Sequence, residues 1–122
     1  MSDATVPPVS DCLFCRILAG DVPSTEVTST ERIYAFRDLN PGAPTHVLVI
    51  PREHISDASA LEVAHADVLA EMFVTASEVA RSEGLAERGY RLVFNIGEDS
   101  GNSVPHLHLH VLGGRRLGWP PG

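Results

Sequence analysis

The stretch His106-Leu107-His108-Leu109-His110-Val111-Leu112 decides the fold of this chain. On a β-strand alternate side chains share one face, so the three histidines are predicted to point one way and the apolar residues between them the other. Neighbouring imidazoles on that face would lie roughly 6.6 Å apart along the strand. An ordinary exposed polar face does not alternate histidine so strictly. The stretch therefore predicts a strand that packs on the core with one side and carries a chemical site on the other.

Two kinds of chemistry use imidazoles at this spacing. Three histidines on one strand can hold a zinc ion that keeps an open coordination position. Alternatively, a neutral imidazole is a good nucleophile near pH 7, and its neighbours can donate protons during displacement at phosphorus. Spacing alone favours neither. The preceding loop, residues 97–104 (GEDSGNSV), contains glycines and the donors Asn102 and Ser103, and it suits a phosphate better than a metal.

Composition and charge exclude several other classes of protein. The 122 residues are enough for one domain with a single core. Nine basic residues, all arginine, against sixteen acidic ones give a net charge of -7, which disfavours nucleic-acid polymers as partners. The absence of lysine excludes Schiff-base chemistry and a P-loop. No stretch is apolar for long enough to cross a membrane, and the first ten residues do not resemble a signal peptide, so we expect a cytoplasmic protein.

Turn residues and hydrophobic periodicity predict an α+β fold. Residues 1–10 are predicted to be a disordered N-terminal lead, and residues 11–122 a single domain that includes the C-terminal tail. A short helix is predicted over residues 12–18 with Asp11 as its N-cap, and an apolar stripe over residues 61–80 predicts one long helix. The long helix would begin either at a capping box formed by Ser59 and Glu62 or nearer Asp67. Strands are predicted at residues 24–28, 32–37, 46–50, 90–95 and 106–112. These elements would form an about five-stranded antiparallel sheet with one long and one short helix.

The chain resembles the histidine triad (HIT) superfamily, whose signature is His-φ-His-φ-His-φ-φ with φ apolar, and residues 106–112 match it at every position. It is more similar still to the Hint branch, the histidine triad nucleotide-binding proteins. That similarity includes residues 43–51 (APTHVLVIP), Gly113-Gly114-Arg115 and the ending Trp119-Pro120-Pro121-Gly122, and it covers roughly residues 11–122. The resemblance implies a HIT-like fold, a homodimer and binding of purine nucleotides of the AMP or GMP type.

The resemblance also implies a hydrolase, namely a purine nucleoside phosphoramidase that cleaves the P–N bond of nucleoside 5′-phosphoramidates such as AMP-NH2. His108 would be the nucleophile and would form a nucleotidyl-histidine intermediate without a cofactor. His110 would bind the phosphate and assist the leaving group, and His106 and His46 would orient and polarise the set. Asp38 would accept the ribose hydroxyls, since a carboxylate is a natural partner for a vicinal diol.

Other residues match the nucleotide pocket of that branch. Positions around the α-phosphate correspond to Asn95, Gly101, Ser103 and Val104, to which the donor-rich loop adds Asn102. The apolar walls of the base pocket correspond to Phe14, Ile17, Phe36 and Leu39. Trp119 would reach the site of the partner subunit. Taken one at a time, these residues are also what a core or a turn would contain, and only the resemblance assigns them to a pocket.

The cysteine pair is a separate feature. Cys12 and Cys15 lie at i and i+3 on the predicted first helix, and from the residues alone they could be two buried free thiols or half of a zinc site. Several bacterial HIT proteins resemble this chain in pairing such a Cys-x-x-Cys with two histidines, which match His54 and His106. The resemblance therefore implies a structural zinc ion. The sequence assigns no role to His65.

Three other functions fit the same residues. One is a dinucleoside polyphosphate hydrolase of the same superfamily, against which the Gly113-Gly114-Arg115 and Trp-Pro-Pro-Gly segments argue. Another is a nucleotide-binding regulatory module with little turnover, because the same pocket would serve it. The third is a metalloenzyme centred on the three histidines of residues 106–110.

Overall fold

The computed structural model describes residues 11–122, and the predicted disordered lead lies outside the described residues. Five strands of the described part form one antiparallel sheet in the order β1-β2-β3-β5-β4. They are β1 (Glu26–Ser29), β2 (Ile33–Arg37), β3 (Thr45–Pro51), β4 (Arg91–Val93) and β5 (Leu109–Gly113). A short helix, α1 (Leu13–Leu18), and a long helix, α2 (Ala66–Ser82), complete the α+β fold, as predicted.

The central strand β3 divides the interior into two cores. Its sequence is mostly β-branched and apolar, and alternate side chains go to opposite faces of the sheet. Val47 and Val49 pack on the face covered by α2, whereas Leu48 and Ile50 pack on the face covered by α1. We call these the α2 face and the α1 face. The α2 face carries the larger core, and the α1 face carries the smaller one.

The histidine-rich segment keeps its predicted alternation although its regular strand is shorter than predicted. Leu107, Leu109 and Val111 are buried in the core of the α2 face. The strand begins only at Leu109, rather than at His106. The reason is that the Leu107 N–H donates to the Ile55 carbonyl at 2.6 Å, outside the ladder with β3, which runs from Leu109 onward.

Helix α1 begins later than the sequence predicts, and α2 begins at Ala66, in agreement with the later of its two predicted starts. The Cys12 Sγ accepts the Cys15 N–H at 3.3 Å, so Cys12, not Asp11, is the N-cap of α1. The residues before Ala66 form two short 3₁₀ turns, so the apolar stripe that starts at Leu61 becomes α-helical only from Ala66. Within residues 11–122, no helix has the length and apolarity that a membrane crossing requires.

Helix α2 is held to the sheet by one buried stripe. Its buried residues recur at intervals of three and four, as the helical period requires: Val68, Met72, Thr75, Ala76, Val79 and Ala80. Met72 is fully buried in the core of the α2 face. The stripe therefore supplies most of the contact between the helix and β2, β3 and β5.

Truncating Met72 is expected to destabilise the fold. Met72→Ala removes buried methylenes and leaves a cavity, which should lower the free energy of unfolding by about 2–5 kcal/mol. Glu78→Ala, on the exposed side of the same helix, is the control and should change it by no more than about 0.5 kcal/mol. Urea unfolding measures both, and an equal effect of the two substitutions would contradict the assignment of the buried stripe.

Candidate active site

A cavity of about 290 Å³ opens on the α1 face, between α1, the end of β2 and the loop that precedes β5. Asp38 follows β2 and Asn95 follows β4, so both polar side chains reach the cavity from strand ends. Every residue that the sequence assigns to nucleotide binding lines it: Phe14, Ile17, Phe36, Asp38, Leu39, Asn95, Gly101, Asn102, Ser103 and Val104. His108 and His110 line it as well. The cavity is thus apolar at one end and rich in polar groups at the other.

Besides the predicted zinc ligands Cys12, Cys15 and His54, three predicted site residues lie outside this lining. His46 lies behind His110, and its side chain is only 8% exposed. His106 is fully buried beside the cysteines. Trp119 is 83% exposed in the tail and contributes nothing to the lining of its own chain's cavity.

The proton of neutral His108 has a fixed position. Its Nδ1 lies 2.7 Å from the main-chain carbonyl oxygen of His106, which can only accept a hydrogen bond. Nδ1 therefore carries the hydrogen, and Nε2 keeps its lone pair. The ring lies edge-on to Phe14, with centroids 5.1 Å apart, which restricts its rotation. The ring that lines the cavity thus has its basic nitrogen unprotonated.

Hydrogen bonds also determine which ring nitrogen carries the hydrogen in neutral His46 and neutral His110. The Gly42 N–H donates to His46 Nδ1 at 2.9 Å, so the hydrogen of neutral His46 is on Nε2. That Nε2 lies 2.9 Å from His110 Nδ1 and 3.4 Å from a carboxylate oxygen of Asp38, and it donates to them. His110 Nδ1 then accepts, so His110 carries its hydrogen on Nε2. The two rings meet because they lie on the same face of adjacent strands β3 and β5.

The polar end of the cavity offers donors to an anion. His110 Nε2 lies 3.5 Å from Asn95 Nδ2, a contact in which Nε2 could only accept; the shorter 2.9 Å bond from His46 to Nδ1 outweighs it, so both nitrogens carry hydrogen and can donate to a third group. Nearby, Asn102 Oδ1 is buried and has no hydrogen-bond partner among the described residues. An unsatisfied buried polar atom is costly, and a ligand that donates there would satisfy it. The arrangement suits a ligand that has both acceptor oxygens and hydroxyl or amine donors.

Burial keeps these histidines neutral. It lowers the pKa of His110 to about 4, helped by the neighbouring imidazoles of His108 and His46. Burial also lowers the pKa of His108 and of His46, although the Asp38 carboxylate partly opposes this at both. At neutral pH the site therefore presents a neutral imidazole with a lone pair and a neutral imidazole with an N–H.

A second cluster joins two thiols and two imidazoles. Cys12 and Cys15 lie at the start of α1, and His106 Nδ1 is 3.3 Å from Cys12 Sγ and 3.5 Å from Cys15 Sγ. His54 Nδ1 is 3.3 Å from Cys15 Sγ, and all four ligand atoms lie within 4.8 Å of one another. His106 Nε2 donates to the Pro51 carbonyl at 2.9 Å, so its Nδ1 lone pair faces the sulfurs. The donor set fits a tetrahedral zinc ion.

The Cys15 thiol would have to lose its proton to a metal. Burial raises the pKa of Cys15 to about 11, and the adjacent Cys12 thiol adds to this. A zinc ligand must be the thiolate, so metal binding there would release protons. The two clusters meet at His106, whose side chain belongs to the cysteine cluster while its carbonyl holds His108.

Sequence reasoning missed several groups that shape the site. Leu48 lines the cavity, and the alternation along β3 could have assigned it to that face. Arg37 also lines it, although its guanidinium is held away by two hydrogen bonds to Glu83, of 2.9 and 3.0 Å. The Gly42 amide and the Pro51 carbonyl act through the main chain, so no side-chain pattern marks them.

Comparisons with known proteins by family model, by sequence and by structure all find HIT proteins. A family model described as HIT domain matches residues 19–117. Adenylylsulfatase HINT1 of Arabidopsis thaliana is 42% identical over 121 residues, which are 98% of this chain and 82% of that protein. A 14 kDa zinc-binding protein of Zea mays is 44% identical, covering 93% of this chain and 89% of its own. The crystal structure of a HIT family hydrolase from Legionella pneumophila superposes with a TM-score of 0.89 at 48% identity, covering 91% of this chain and 99% of its own.

Acidification is expected to destabilise the fold through the buried histidines. Since burial lowers the pKa of His110 from its ordinary 6.5 to about 4, the unfolded chain binds more protons than the folded chain between those values. The free energy of unfolding should therefore fall as the pH falls through this window. His110→Asn removes one such group and should make the fall shallower, whereas His65→Asn, outside the site, serves as the control. Urea unfolding at a series of pH values measures the slope, and an unchanged slope in His110→Asn would contradict the assignment.

Proposed function

The chain belongs to the HIT domain family of hydrolases, and we propose that within it this protein is a purine nucleoside phosphoramidase. Its substrates would be nucleoside 5′-phosphoramidates, from which it would release the amine and the nucleoside monophosphate. The observation that carries the proposal is the His108 imidazole. It lines a cavity of nucleotide size with Nδ1 held by a carbonyl and Nε2 unprotonated.

The two ends of the cavity suit the two ends of a nucleotide. The apolar walls around Phe14 and Phe36 would take the base, because contact between its flat ring and aromatic or aliphatic side chains is favourable. Asp38 would accept the ribose hydroxyls, because its carboxylate is already oriented by the Asn40 N–H at 2.8 Å and keeps further acceptor capacity. Neutral donors, among them Asn95 and Ser103, would hold the phosphate without a cationic side chain.

The geometry supports a double displacement at phosphorus. In the first step the Nε2 lone pair of His108 bonds to phosphorus while the P–N bond to the amine breaks. The amine leaves with one proton, which reaches it from solvent by way of His110. In the second step water attacks phosphorus, the electron pair of the P–Nε2 bond returns to His108, and the proton of the water leaves by the same route. The net reaction consumes one water molecule.

Replacing His108 is expected to abolish turnover without abolishing binding. With AMP-NH2 as substrate, His108→Ala should lower kcat by at least about 10³-fold, because no other group in the cavity presents an unprotonated imidazole nitrogen. Its affinity for AMP, measured by titration calorimetry, should stay within a few-fold of the wild type. His65→Ala, which changes a histidine outside the cavity, should retain full turnover.

The same assay separates the alternatives. A wild-type protein that binds AMP but turns over neither AMP-NH2 nor a dinucleoside polyphosphate would be a regulatory nucleotide-binding module. Faster cleavage of the dinucleoside polyphosphate than of AMP-NH2 would place the protein in the other hydrolase class of the superfamily. Either result would contradict the proposed phosphoramidase.

We also propose that Cys12, Cys15, His54 and His106 bind one structural zinc ion. The support is the convergence of the four ligand atoms, the orientation of His106 by the Pro51 carbonyl and the zinc-binding name of the maize relative. Zinc would tie α1 to the segments that follow β3 and precede β5, and so stabilise the wall of the cavity. The displacement at phosphorus requires no metal step.

Metal analysis tests this site. Purified wild-type protein is expected to contain about one zinc ion per chain, and Cys15→Ser should lower the content and destabilise the fold, because a structural ion contributes directly to folding. His65→Asn is the matched control and should keep its zinc. Substitution with Co²⁺ should give thiolate charge-transfer absorption. Failure of the wild type to bind either metal under reducing conditions would contradict the site.

We further propose a cytoplasmic homodimer in which Trp119 reaches the partner subunit's cavity. The support is the placement of apolar side chains at the surface on the β4 side of the sheet, including Phe73 on α2 and Ile96 after β4, which are 39% and 48% exposed. Trp119, 83% exposed, is a large apolar side chain that its own chain leaves uncovered.

A further inference from the structure

The Gly113-Gly114-Arg115 turn packs closely on its surroundings at both glycines. A Cβ on Gly113 would lie 2.9 Å from the methyl groups of Leu85, so that side chain would have to shift. Gly114 has φ of 95°, and a Cβ on it would lie 2.9 Å from Pro44 and 3.4 Å from the Thr45 nitrogen. The tail after β5 can therefore pack closely on the start of β3. This packing brings Arg115 beside the loop that joins β2 to β3.

The Arg115 side chain holds that loop by a hydrogen bond to a main-chain carbonyl of the loop. Its Nη2 donates to the Gly42 carbonyl at 3.1 Å, while its Nη1 donates to the Arg116 carbonyl at 3.0 Å. The planar guanidinium fork joins two separate segments with a fixed geometry. Gly42 has no side chain of its own to anchor it and lies in an exposed loop, so the arginine adds a restraint on its carbonyl to the one that His46 places on its amide.

Gly42, the residue that Arg115 holds, also determines which nitrogens of His46 and His110 carry hydrogen. The N–H of Gly42 donates to His46 Nδ1 at 2.9 Å, and His46 Nε2 donates to His110 Nδ1 at 2.9 Å. Four groups thus form a continuous series from Arg115 to His110 Nε2, which faces the cavity. We propose that Arg115 is a positioning residue for the catalytic histidines: it holds the Gly42 amide against His46 and so selects the tautomers of His46 and His110. The kinetic part rests on the proposed phosphoramidase activity, whereas the tautomer part does not.

Loss of the hydrogen bond from Arg115 to Gly42 would change the tautomers of His46 and His110. A neutral imidazole has one hydrogen for two nitrogens: the Gly42 N–H, at 2.9 Å, keeps that hydrogen off Nδ1 of His46, and the longer 3.4 Å contact with the Asp38 carboxylate favours it on Nε2. When the amide moves away, His46 can place its hydrogen on Nδ1 and accept through Nε2. His110 would then donate from Nδ1 and lose the hydrogen on Nε2. The cavity would exchange a donor for an acceptor at the place where the leaving group needs a proton.

The test compares Arg115→Ala and Arg115→Lys with Arg116→Ala in the full chain. Arg116 is the matched control, because it is the adjacent exposed arginine and its side chain makes no hydrogen bond within the described residues. Long-range ¹H–¹⁵N spectra of the imidazoles at pH 7 should show His46 and His110 as single Nε2–H tautomers in the wild type and in Arg116→Ala. Arg115→Ala should show a mixture of tautomers at both rings. Arg115→Lys, whose ammonium can donate but lacks the planar fork, should restore the wild-type pattern in part, and so should guanidinium added to Arg115→Ala.

Kinetics supply the second readout. With AMP-NH2, Arg115→Ala is expected to lower kcat by about tenfold and to leave KM within about twofold, since the substitution alters a proton position and removes no contact of the cavity lining. Arg116→Ala should match the wild type in both constants. An effect on KM alone would overturn the proposal, because it would make Arg115 a substrate-binding residue.

The outcomes separate this proposal from the proposed function. Wild-type tautomers in a folded Arg115→Ala protein would overturn it even if the protein hydrolyses phosphoramidates. A wild type without phosphoramidase activity would refute the proposed function, and the spectra would still decide the role of Arg115. Should Arg115→Ala fail to fold, Arg115→Met, which keeps the length of the side chain but has no donor, replaces it, and wild-type tautomers in that variant would overturn the proposal in the same way.

Discussion

The hydrogen bond from His108 Nδ1 to the main-chain carbonyl of His106, at 2.7 Å, is the contact on which the whole site depends. A carbonyl oxygen cannot donate, so this one contact fixes the hydrogen on Nδ1 and leaves the lone pair on Nε2. Because the acceptor belongs to the main chain, its position follows from the course of the chain rather than from a mobile side chain. The free lone pair on Nε2 of His108 is thereby a consequence of the backbone conformation of the segment that leads into β5.

The rest of the structure holds that segment in place from both sides. On the α2 face, Leu107 and Leu109 are fully buried, and moving either would expose apolar surface or open a cavity in the core. On the α1 face, the His106 side chain is fixed between the Pro51 carbonyl and the thiols of Cys12 and Cys15. The carbonyl of His106 thus belongs to a residue anchored by its own side chain and by the buried Leu107 that follows it. Burial lowers the pKa of His108 and so keeps this imidazole neutral near pH 7.

The strands, the long helix and much of the core could be predicted from the sequence, because they follow from side-chain periodicity. The strict alternation from His106 to Val111 predicted which residues enter the core, and the apolar stripe of α2 predicted the long helix, since burial depends on side-chain type. Start positions were less accurate: β5 begins at Leu109 and α1 is capped by Cys12, because local main-chain hydrogen bonds and a thiol acceptor decide these ends. The nucleotide-binding roles of the cavity residues stay predictions. The contributions of Gly42 and Pro51 were not predictable, because any residue carries the same amide and carbonyl.

Capture of the covalent intermediate tests the central claim most directly. Protein quenched in acid-free denaturant during turnover of AMP-NH2, digested with trypsin and fragmented in the mass spectrometer should carry one nucleotidyl group on His108, within the peptide of residues 92–115. The group should be absent when the same experiment is done on His108→Ala. A nucleotidyl group on His110 or on any other residue, or its persistence in His108→Ala, would show that the free nitrogen of His108 is not the atom that attacks phosphorus.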